Sequence, residues 1–329
     1  MKITARILKA ILWLGLCMLP VAHAQNTANA WPNKTIRIVV GFPAGSVTDT
    51  MARLMAEQLS KSLSQTVIVE NKPGANGVIG VGEVARATPD GYTLLVTNSS
   101  SIVINPQLYK QITYKPSDFA PIMMIIEAPF VLTVNPEWAK KNSINSPKDL
   151  IAYSKRNPDK LSYGSAGQGN IAHLSFVSWS NRTGVKTTHV PYKSAAQAET
   201  ATMSGELDAL FDTLSGLPQM QSGKLKALAV TAPKRIEQLP NVPTMAEAGY
   251  DNFDVLFWMG LLAPAGTPAP IVHKIYEAAK SITKDPKAMA VLKSNGDTVM
   301  LDPAQFTQRI QKEVPMWGEV ISREKLVLE

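Results

Sequence analysis

Short runs of valine, isoleucine and leucine alternate with helical segments along the chain, and this alternation limits the possible folds more than any other feature. The runs at 36–42, 66–72 and 92–98 are largely apolar and lack strict polar alternation. Such runs are typical of strands that are buried in a parallel sheet. Helical patterns separate them, and the order β-α-β-α-β predicts an α/β domain with helices on both faces of a sheet.

The alternation resumes in the second part of the chain. Residues 119–136 form a long apolar stretch that predicts one or two strands leaving a first lobe, and strands and helices alternate again up to about residue 230. A chain of 329 residues also exceeds the usual size of one domain. We therefore expect two lobes, each a mostly parallel sheet flanked by helices. We assign 25–125 to the first lobe, 126–230 to the second, and 231–329 to a return into the first, with an interlobe strand near 255–263 and C-terminal helices.

The N-terminus has the pattern of a secretory signal peptide. Lys2, Arg6 and Lys9 precede an apolar run, and Ala22-His23-Ala24 fits the small-x-small cleavage rule. The run is too short to span a bilayer. The pattern predicts export to the periplasm, with residues 1–24 removed by cleavage after Ala24.

Composition excludes several kinds of function. The single cysteine, Cys17, lies inside the predicted signal peptide, which excludes thiol catalysis and cysteine metal sites in the mature chain. The formal net charge is +7, three of these charges lie in the signal peptide, and the lysines are scattered. This pattern does not favour a nucleic-acid partner. We expect no cofactor and no metal.

Two glycine-containing loops each lead from a strand into a helix. The first is GFPAGSVTD at 41–49, and the second is YGSAGQGN at 163–170. The N-terminus of a helix presents free N–H groups and favours anions. The pair is consistent with a ligand carrying a carboxylate held between two lobes, and equally with two ordinary strand-to-helix turns.

Catalytic motifs are not evident. The first loop lacks the Gly-Lys-Ser/Thr ending of a phosphate loop, and the chain has no G-x-S-x-G nucleophile elbow. His173 and His189 have no second histidine at metal-ligand spacing, which favours structural roles. Asp212 ends an apolar strand and is expected to point into the cleft, where it would accept a hydrogen bond from a ligand or cap the next loop.

Several segments together resemble the tripartite tricarboxylate transporter receptors, often called Bug proteins. They include VIVENKPGANGVIG, VARATPDGYTLL, SYGSAGQGNIAHLS, HVPYKSAAQAETATMSGELDALFD and NVPTMAEAGY, in order along nearly the whole mature chain. The resemblance implies a periplasmic solute-binding protein of the Venus-flytrap fold. It also implies a membrane permease as partner. Ser46, Asn76 and Ser194 stand where the family usually has glycine, and Ser46 would add a hydroxyl group beside the ligand.

The resemblance also implies which residues bind the ligand. In the family, backbone amides and hydroxyls of the loop after the first strand hold a small carboxylate, and a loop of the second lobe approaches from the other side. Carried over to this sequence, the set is Phe42, Ala44, Ser46, Val47, Thr48, Asp49, Ser99, Ser165, Ala166, Gly167, Asn170, Asp212 and Thr213.

The expected function is capture of a small carboxylate in the interlobe cleft and its delivery to a tripartite tricarboxylate-type permease, by a monomer that is not an enzyme. The ligand class includes di- and tricarboxylates and aromatic carboxylates. Two alternatives remain open at this point. A periplasmic sensor that signals to a membrane kinase would have the same sequence features, and an exported enzyme acting on small acids would need a nucleophile or base.

Overall fold

The structure is a computed structural model, and it describes residues 31–251, 253–323 and 325–327. The predicted signal peptide and its cleavage site lie outside the described residues. The strands are β1 (Ile36–Val40), β2 (Val67–Asn71), β3 (Thr93–Asn98), β4 (Phe119–Pro129), β5 (Val131–Val134), β6 (Leu161–Ser165), β7 (Thr187–Pro191), β8 (Ala209–Asp212), β9 (Lys226–Val230), β10 (Leu256–Pro264) and β11 (Asp297–Leu301).

Helices connect most of these strands. They are α1 (Val47–Leu63), α2 (Val78–Ala85), α3 (Asn105–Leu108), α4 (Pro136–Lys141), α5 (Pro147–Arg156), α6 (Ile171–Thr183), α7 (Ala195–Ser204), α8 (Leu217–Gln221), α9 (Ala269–Lys280), α10 (Pro286–Asn295) and α11 (Pro303–Arg323). A short π-helix (Ser100–Ile104) follows β3, and a 3-10 turn (Leu214–Gly216) follows β8.

The strands form two sheets, each at the centre of one lobe. The six-stranded sheet has the order β11-β4-β10-β3-β1-β2, and the five-stranded sheet has the order β7-β6-β8-β5-β9. The chain passes from the first sheet to the second between β4 and β5 and is back in the first at β10. The predicted two-lobed α/β fold is confirmed. The boundaries at residues 125 and 230 stay predictions.

Both sheets are mixed, which differs from the expected mostly parallel arrangement. β1 runs parallel to β2 and β3, and β6 runs parallel to β7 and β8. In contrast, β10 is antiparallel to β3 and β4, and β5 is antiparallel to β8 and β9. An apolar run predicts that a strand is buried but not its direction, and β5, β10 and β11 run opposite to the other strands of their sheets.

The parallel strands determine where ligands can approach. α1 follows β1, α6 follows β6 and α7 follows β7, so each of these helices begins near the carboxyl end of a parallel strand. In open α/β sheets this edge is where ligands bind. The central strands are buried; for example, Ile38, Leu94 and Met123 are fully inaccessible to solvent.

Candidate ligand-binding site

A cavity of about 290 Å³ lies between the two lobes. Its lining includes residues that follow β1 and β3 in the six-stranded lobe and β6, β7 and β8 in the five-stranded lobe. This volume is at the lower end of the range for small-molecule sites. The cavity therefore fits a small ligand.

Three helices present their N-termini to this cavity, at the same three positions of each helix. The lining residues are Ser46, Val47 and Thr48 of α1, Asn170, Ile171 and Ala172 of α6, and Ser194, Ala195 and Ala196 of α7. Two of these N-termini were predicted from the glycine-containing loops. The third, at α7, was not predicted to face the cavity.

Each of the three helices begins with a capping side chain that satisfies one backbone N–H group. The contacts are Asp49 N to Ser46 Oγ at 3.2 Å, His173 N to Asn170 Oδ1 at 2.9 Å, and Gln197 N to Ser194 Oγ at 3.3 Å. The first four N–H groups of a helix have no partner within the helix. Since the cap takes the N–H of the third residue, those of the first two helical residues are available to a ligand at α1 and α7, and the helix dipole makes the site favourable for an anion. At α6 the first N–H, that of Ile171, already donates to Ser100 Oγ, which leaves the N–H of Ala172.

Hydrogen bonds join the lobes beside the cavity. The N–H of Ile171, in α6, donates to Ser100 Oγ at 3.0 Å, and the hydroxyl of Tyr109 donates to the carbonyl of Gln168 at 3.0 Å. Ser100 and Tyr109 belong to the six-stranded lobe, while Gln168 and Ile171 belong to the other. These contacts hold the lobes together in this structure.

The cavity has little charge of its own. Among the described residues that line it, Glu199 has the only ionisable side chain, and neither lysine nor arginine contributes. A carboxylate bound here would be stabilised by backbone N–H groups and hydroxyls instead of by an ion pair.

Asp49 lies just behind the N-terminus of α1 and is fully paired. Its carboxylate accepts hydrogen bonds from Arg53 Nε, the Gly45 N–H and Asn71 Nδ2, each at 2.9 Å. Burial raises the pKa of Asp49, but these bonds outweigh the effect and lower the pKa overall. Asp49 therefore fixes the loop between β1 and α1 and is not free for a ligand.

Asp212 has a different environment at the end of β8. Its side chain is 0% exposed; Oδ1 accepts the Thr213 N–H at 2.8 Å, and Oδ2 has no hydrogen-bond partner. Burial, together with the charge of Glu199, raises the pKa of Asp212 well above its ordinary value. Burial also raises the pKa of Glu199.

Two stacked histidines lie beneath the loop that follows β6. The rings of His173 and His189 have centroids 4.0 Å apart, and His189 Nε2 is 2.7 Å from Ser165 Oγ. Burial lowers the pKa of His173 to about 4. Burial and then the neighbouring His173 lower the pKa of His189 to about 3. Both rings are neutral at pH 7, in agreement with the structural role expected from the sequence.

The structure brings most of the predicted site residues to the cavity. Those that line it are Phe42, Ser46, Val47, Thr48, Ser165, Ala166, Asn170 and Thr213. Whether they contact a ligand stays a prediction.

The remaining predicted residues lie elsewhere. Ala44 is exposed, and Ser99 is fully buried with its Oγ 3.5 Å from the Trp258 N–H. Gly167 lines a neighbouring cavity of about 550 Å³. Asp49 and Asp212 are buried behind the lining. The expectation that Asp212 points into the cleft is wrong, because its carboxyl group is enclosed among Thr213, Gly216 and Glu199.

Other lining residues are not in the predicted set of ligand-binding residues. They are Gly45, Thr50, Asn98, Ser100, Phe130, Ile171, Ala172, Ser194, Ala195, Ala196, Ala198, Glu199, Leu210, Phe211, Ser215, Gln219, Phe257, Met259 and Asn295. A signal existed for α7, since Ser194 precedes a helical run and Gln197 follows three residues later, which is the spacing of a capping box. No local pattern marks Phe130, Phe257 or Asn295, which reach the cavity only through the tertiary fold.

Within the part of the chain that the structure describes, no three histidine, cysteine, aspartate or glutamate side chains form a group that could hold a metal ion. No helix in the same part has the length and apolar content needed to cross a bilayer.

Comparison with known proteins identifies the family. A profile described as the tripartite tricarboxylate transporter family receptor matches residues 51–326. The chain belongs to this receptor family. The match covers both lobes, confirms the resemblance seen in the sequence, and implies the periplasm.

Solved structures of the receptor family have the same fold. The periplasmic binding protein BugD is 35% identical, with a TM-score of 0.83 over 91% of this chain and 100% of its own. A Rhodopseudomonas palustris protein solved with adipate is 29% identical, with a TM-score of 0.83 over 90% of this chain and 99% of its own. MatC from the same species, solved with bound malate, is 31% identical, with a TM-score of 0.81 over 88% of this chain and 100% of its own. The family consists of periplasmic solute-binding receptors.

Proposed function

We propose that the protein captures a small carboxylate in the cavity between its lobes and delivers it to the membrane permease of a tripartite tricarboxylate-type system. The observation that carries this proposal is the convergence of three helix N-termini on one small cavity. Carboxylates satisfy N–H groups at helix N-termini without a cationic side chain. The two relatives solved with adipate and malate support the same ligand class.

The hydrogen bonds between the lobes suggest how capture works. The bonds from Ile171 to Ser100 and from Tyr109 to Gln168 form only when the lobes are close together. A ligand that touches both lobes would favour this closed arrangement over an open one by its extra contacts. The proposal includes cleavage after Ala24 and action as a monomer in the periplasm.

The direct test of capture is thermal unfolding of residues 25–329 with a panel of mono-, di- and tricarboxylates. A ligand at 100 times its dissociation constant adds about 2.7 kcal/mol of stability, which corresponds to a rise of several degrees in Tm. We expect at least one small carboxylate to raise Tm, and its fully amidated counterpart to have no effect. An unchanged Tm across the whole panel would contradict the proposal.

Delivery needs a separate test. Cells that lack the protein should take up the identified carboxylate more slowly, and expression of the full-length chain should restore uptake. Normal uptake in its absence would leave capture intact but contradict delivery to a permease.

A further inference from the structure

Two carboxyl groups lie next to each other at the wall of the cavity in the five-stranded lobe. Glu199, on α7, lines the cavity and is 7% exposed, while Asp212 lies behind it and is 0% exposed. Asp212 Oδ2 has no hydrogen-bond partner. The two acids are therefore a buried pair of which one member contacts the ligand space.

The backbone at Gly216 shows how close the two carboxyl groups come. A methyl group at this position would lie 2.1 Å from Asp212 Oδ2 and 3.0 Å from Glu199 Oε1. Because Gly216 has no side chain, both carboxyl groups can come close to its backbone. Among the described residues, neither acid forms an ion pair with a lysine, an arginine or a histidine.

Two buried carboxyl groups that both approach the Gly216 backbone repel each other when ionised, so ionisation of one disfavours ionisation of the other. The deeper group, Asp212, has the greater cost of losing contact with water, and the charge of Glu199 adds to that cost. Asp212 is therefore the member that holds its proton more strongly. Glu199, at the cavity surface, is the member that can carry a negative charge towards a ligand.

We propose that Glu199 is a specificity-determining residue that selects carboxylates which also carry an N–H donor, such as an ammonium or amide group, over dicarboxylates of the same length. The inference rests on the proposed function, because the helix N-termini bind the carboxylate end. Glu199 is the only ionisable side chain among the described lining residues, so no cation is available there to neutralise a second ligand carboxylate. An ammonium or amide N–H would instead donate a hydrogen bond to Glu199 and offset the cost of removing its carboxylate from water. The ligand class is a small amino carboxylate or the monoamide of a dicarboxylic acid.

The test compares probes of matched length by isothermal titration calorimetry. One series is succinate, succinamate and 4-aminobutyrate, and the other is glutarate, glutaramate and 5-aminopentanoate. The proteins are wild type, Glu199→Gln, and Glu57→Gln as a matched control. Glu57 has a side chain that is 63% exposed on α1, away from the cavity lining. Thermal melts of all three establish that they fold.

We expect wild type and Glu57→Gln to bind the best N–H-bearing probe of a series about tenfold or more tightly than the dicarboxylate of that series. In Glu199→Gln this preference should fall to less than about threefold, mainly because the dicarboxylate binds more tightly once the charge is removed. Equal or tighter binding of the dicarboxylates by wild type would overturn the inference, as would an unchanged preference in Glu199→Gln.

The outcomes also separate this inference from the proposed function. Binding of dicarboxylates without discrimination would contradict the role of Glu199 and leave carboxylate capture standing. Failure of every probe to bind wild type and Glu199→Gln would contradict carboxylate capture, and the inference with it. If Glu199→Gln does not fold, the ratio measured on wild type still decides the proposal.

Discussion

The two lobes differ in how they surround the buried ionisable groups beside the cavity, and the pKa shifts of their aspartates have opposite directions. In the six-stranded lobe, Asp49 is 2% exposed and carries its charge among three donors, which lower its pKa. In the five-stranded lobe, Asp212 is 0% exposed, has one donor and faces a second acid, which raises its pKa. His173 and His189, in the same lobe, are held neutral by burial.

This difference separates a structural role from a ligand-dependent one. A buried charge with a complete set of partners stabilises the loop it contacts and has nothing left for a ligand. A buried acid with an unpaired oxygen, such as Asp212, costs free energy, and such a cost persists where it serves binding. We therefore expect a ligand to change the state of Glu199 and Asp212 more than that of Asp49.

The largest expected effect concerns the histidine pair. The unfolded chain binds protons at these rings below about pH 6.5, whereas folded His173 does so only near pH 4. The stability that comes from the neutral ring is therefore present above pH 6.5 and is lost as pH falls to 4, by about 3 kcal/mol for His173. The measurement is the free energy of unfolding of wild type and His173→Asn by urea denaturation across this range.

The variant should lose less stability than wild type between pH 6.5 and 4. His273 on α9 is exposed, so His273→Asn is the control and should follow the wild-type profile. Parallel profiles for wild type and His173→Asn would show that the ring is not held neutral.

The second prediction concerns Asp49 and a matched aspartate. Asp49→Ala removes the acceptor of three hydrogen bonds and should lower the free energy of unfolding by about 2 to 3 kcal/mol. Asp149 is also the third residue of a helix, α5, and accepts the Asn145 N–H at 3.0 Å, but in a more exposed setting. Asp149→Ala should cost about 1 kcal/mol. Equal losses at the two sites would show that burial does not distinguish them.

The smallest expected effect has the opposite sign. Glu199→Gln removes the charge beside Asp212 and should raise the free energy of unfolding by about 1 kcal/mol at pH 7. Burial raises the pKa values of both acids in the folded chain above those in the unfolded chain. The pair therefore does not destabilise the folded chain below about pH 4, near the pKa of an acid in the unfolded chain, and it destabilises the folded chain as pH rises. The gain should therefore shrink at pH 4. A loss of stability in the variant at pH 7 would contradict the repulsive pair.

Much of the fold could be predicted because local patterns determine it. The apolar runs predicted β1 to β3, and the loops before Ser46 and Asn170 predicted helix starts that the structure confirms. That the N-terminus of α7 faces the cavity was missed, because the capping spacing of Ser194 and Gln197 marks a helix start but not its position in the fold. β11 was missed because it is a short edge strand held only by β4.

The electrostatics of the site could not be predicted in the same way. Glu199 lies in a stretch rich in alanine and threonine, where a glutamate is ordinarily expected to face solvent. Its burial depends on β8 and on the turn that contains Gly216, which lie ten or more residues further along the chain. Asp212 is likewise enclosed by residues that are brought to it by the tertiary fold, among them Glu199 and Gly216. Sequence patterns located the strand ends, but only the packing of α7 against β8 brings the two acids together.

The central claim is that backbone N–H groups at helix N-termini bind the carboxylate, and one substitution tests it directly. Proline at the first position of a helix preserves the helix but removes the N–H group. Ser46 has the extended backbone (φ −70°, ψ 160°) that a following proline requires, and valine and proline are similar in size. Val47→Pro should therefore fold.

The measurement is the dissociation constant, by isothermal titration calorimetry, of the carboxylate identified in the unfolding panel. Ala195→Pro is a second test at α7, with Ala195→Val as the control that keeps the N–H group. We expect each proline variant to bind about tenfold more weakly than wild type, and Ala195→Val to differ little. Wild-type affinity in Val47→Pro and Ala195→Pro, with both variants folded, would contradict the account.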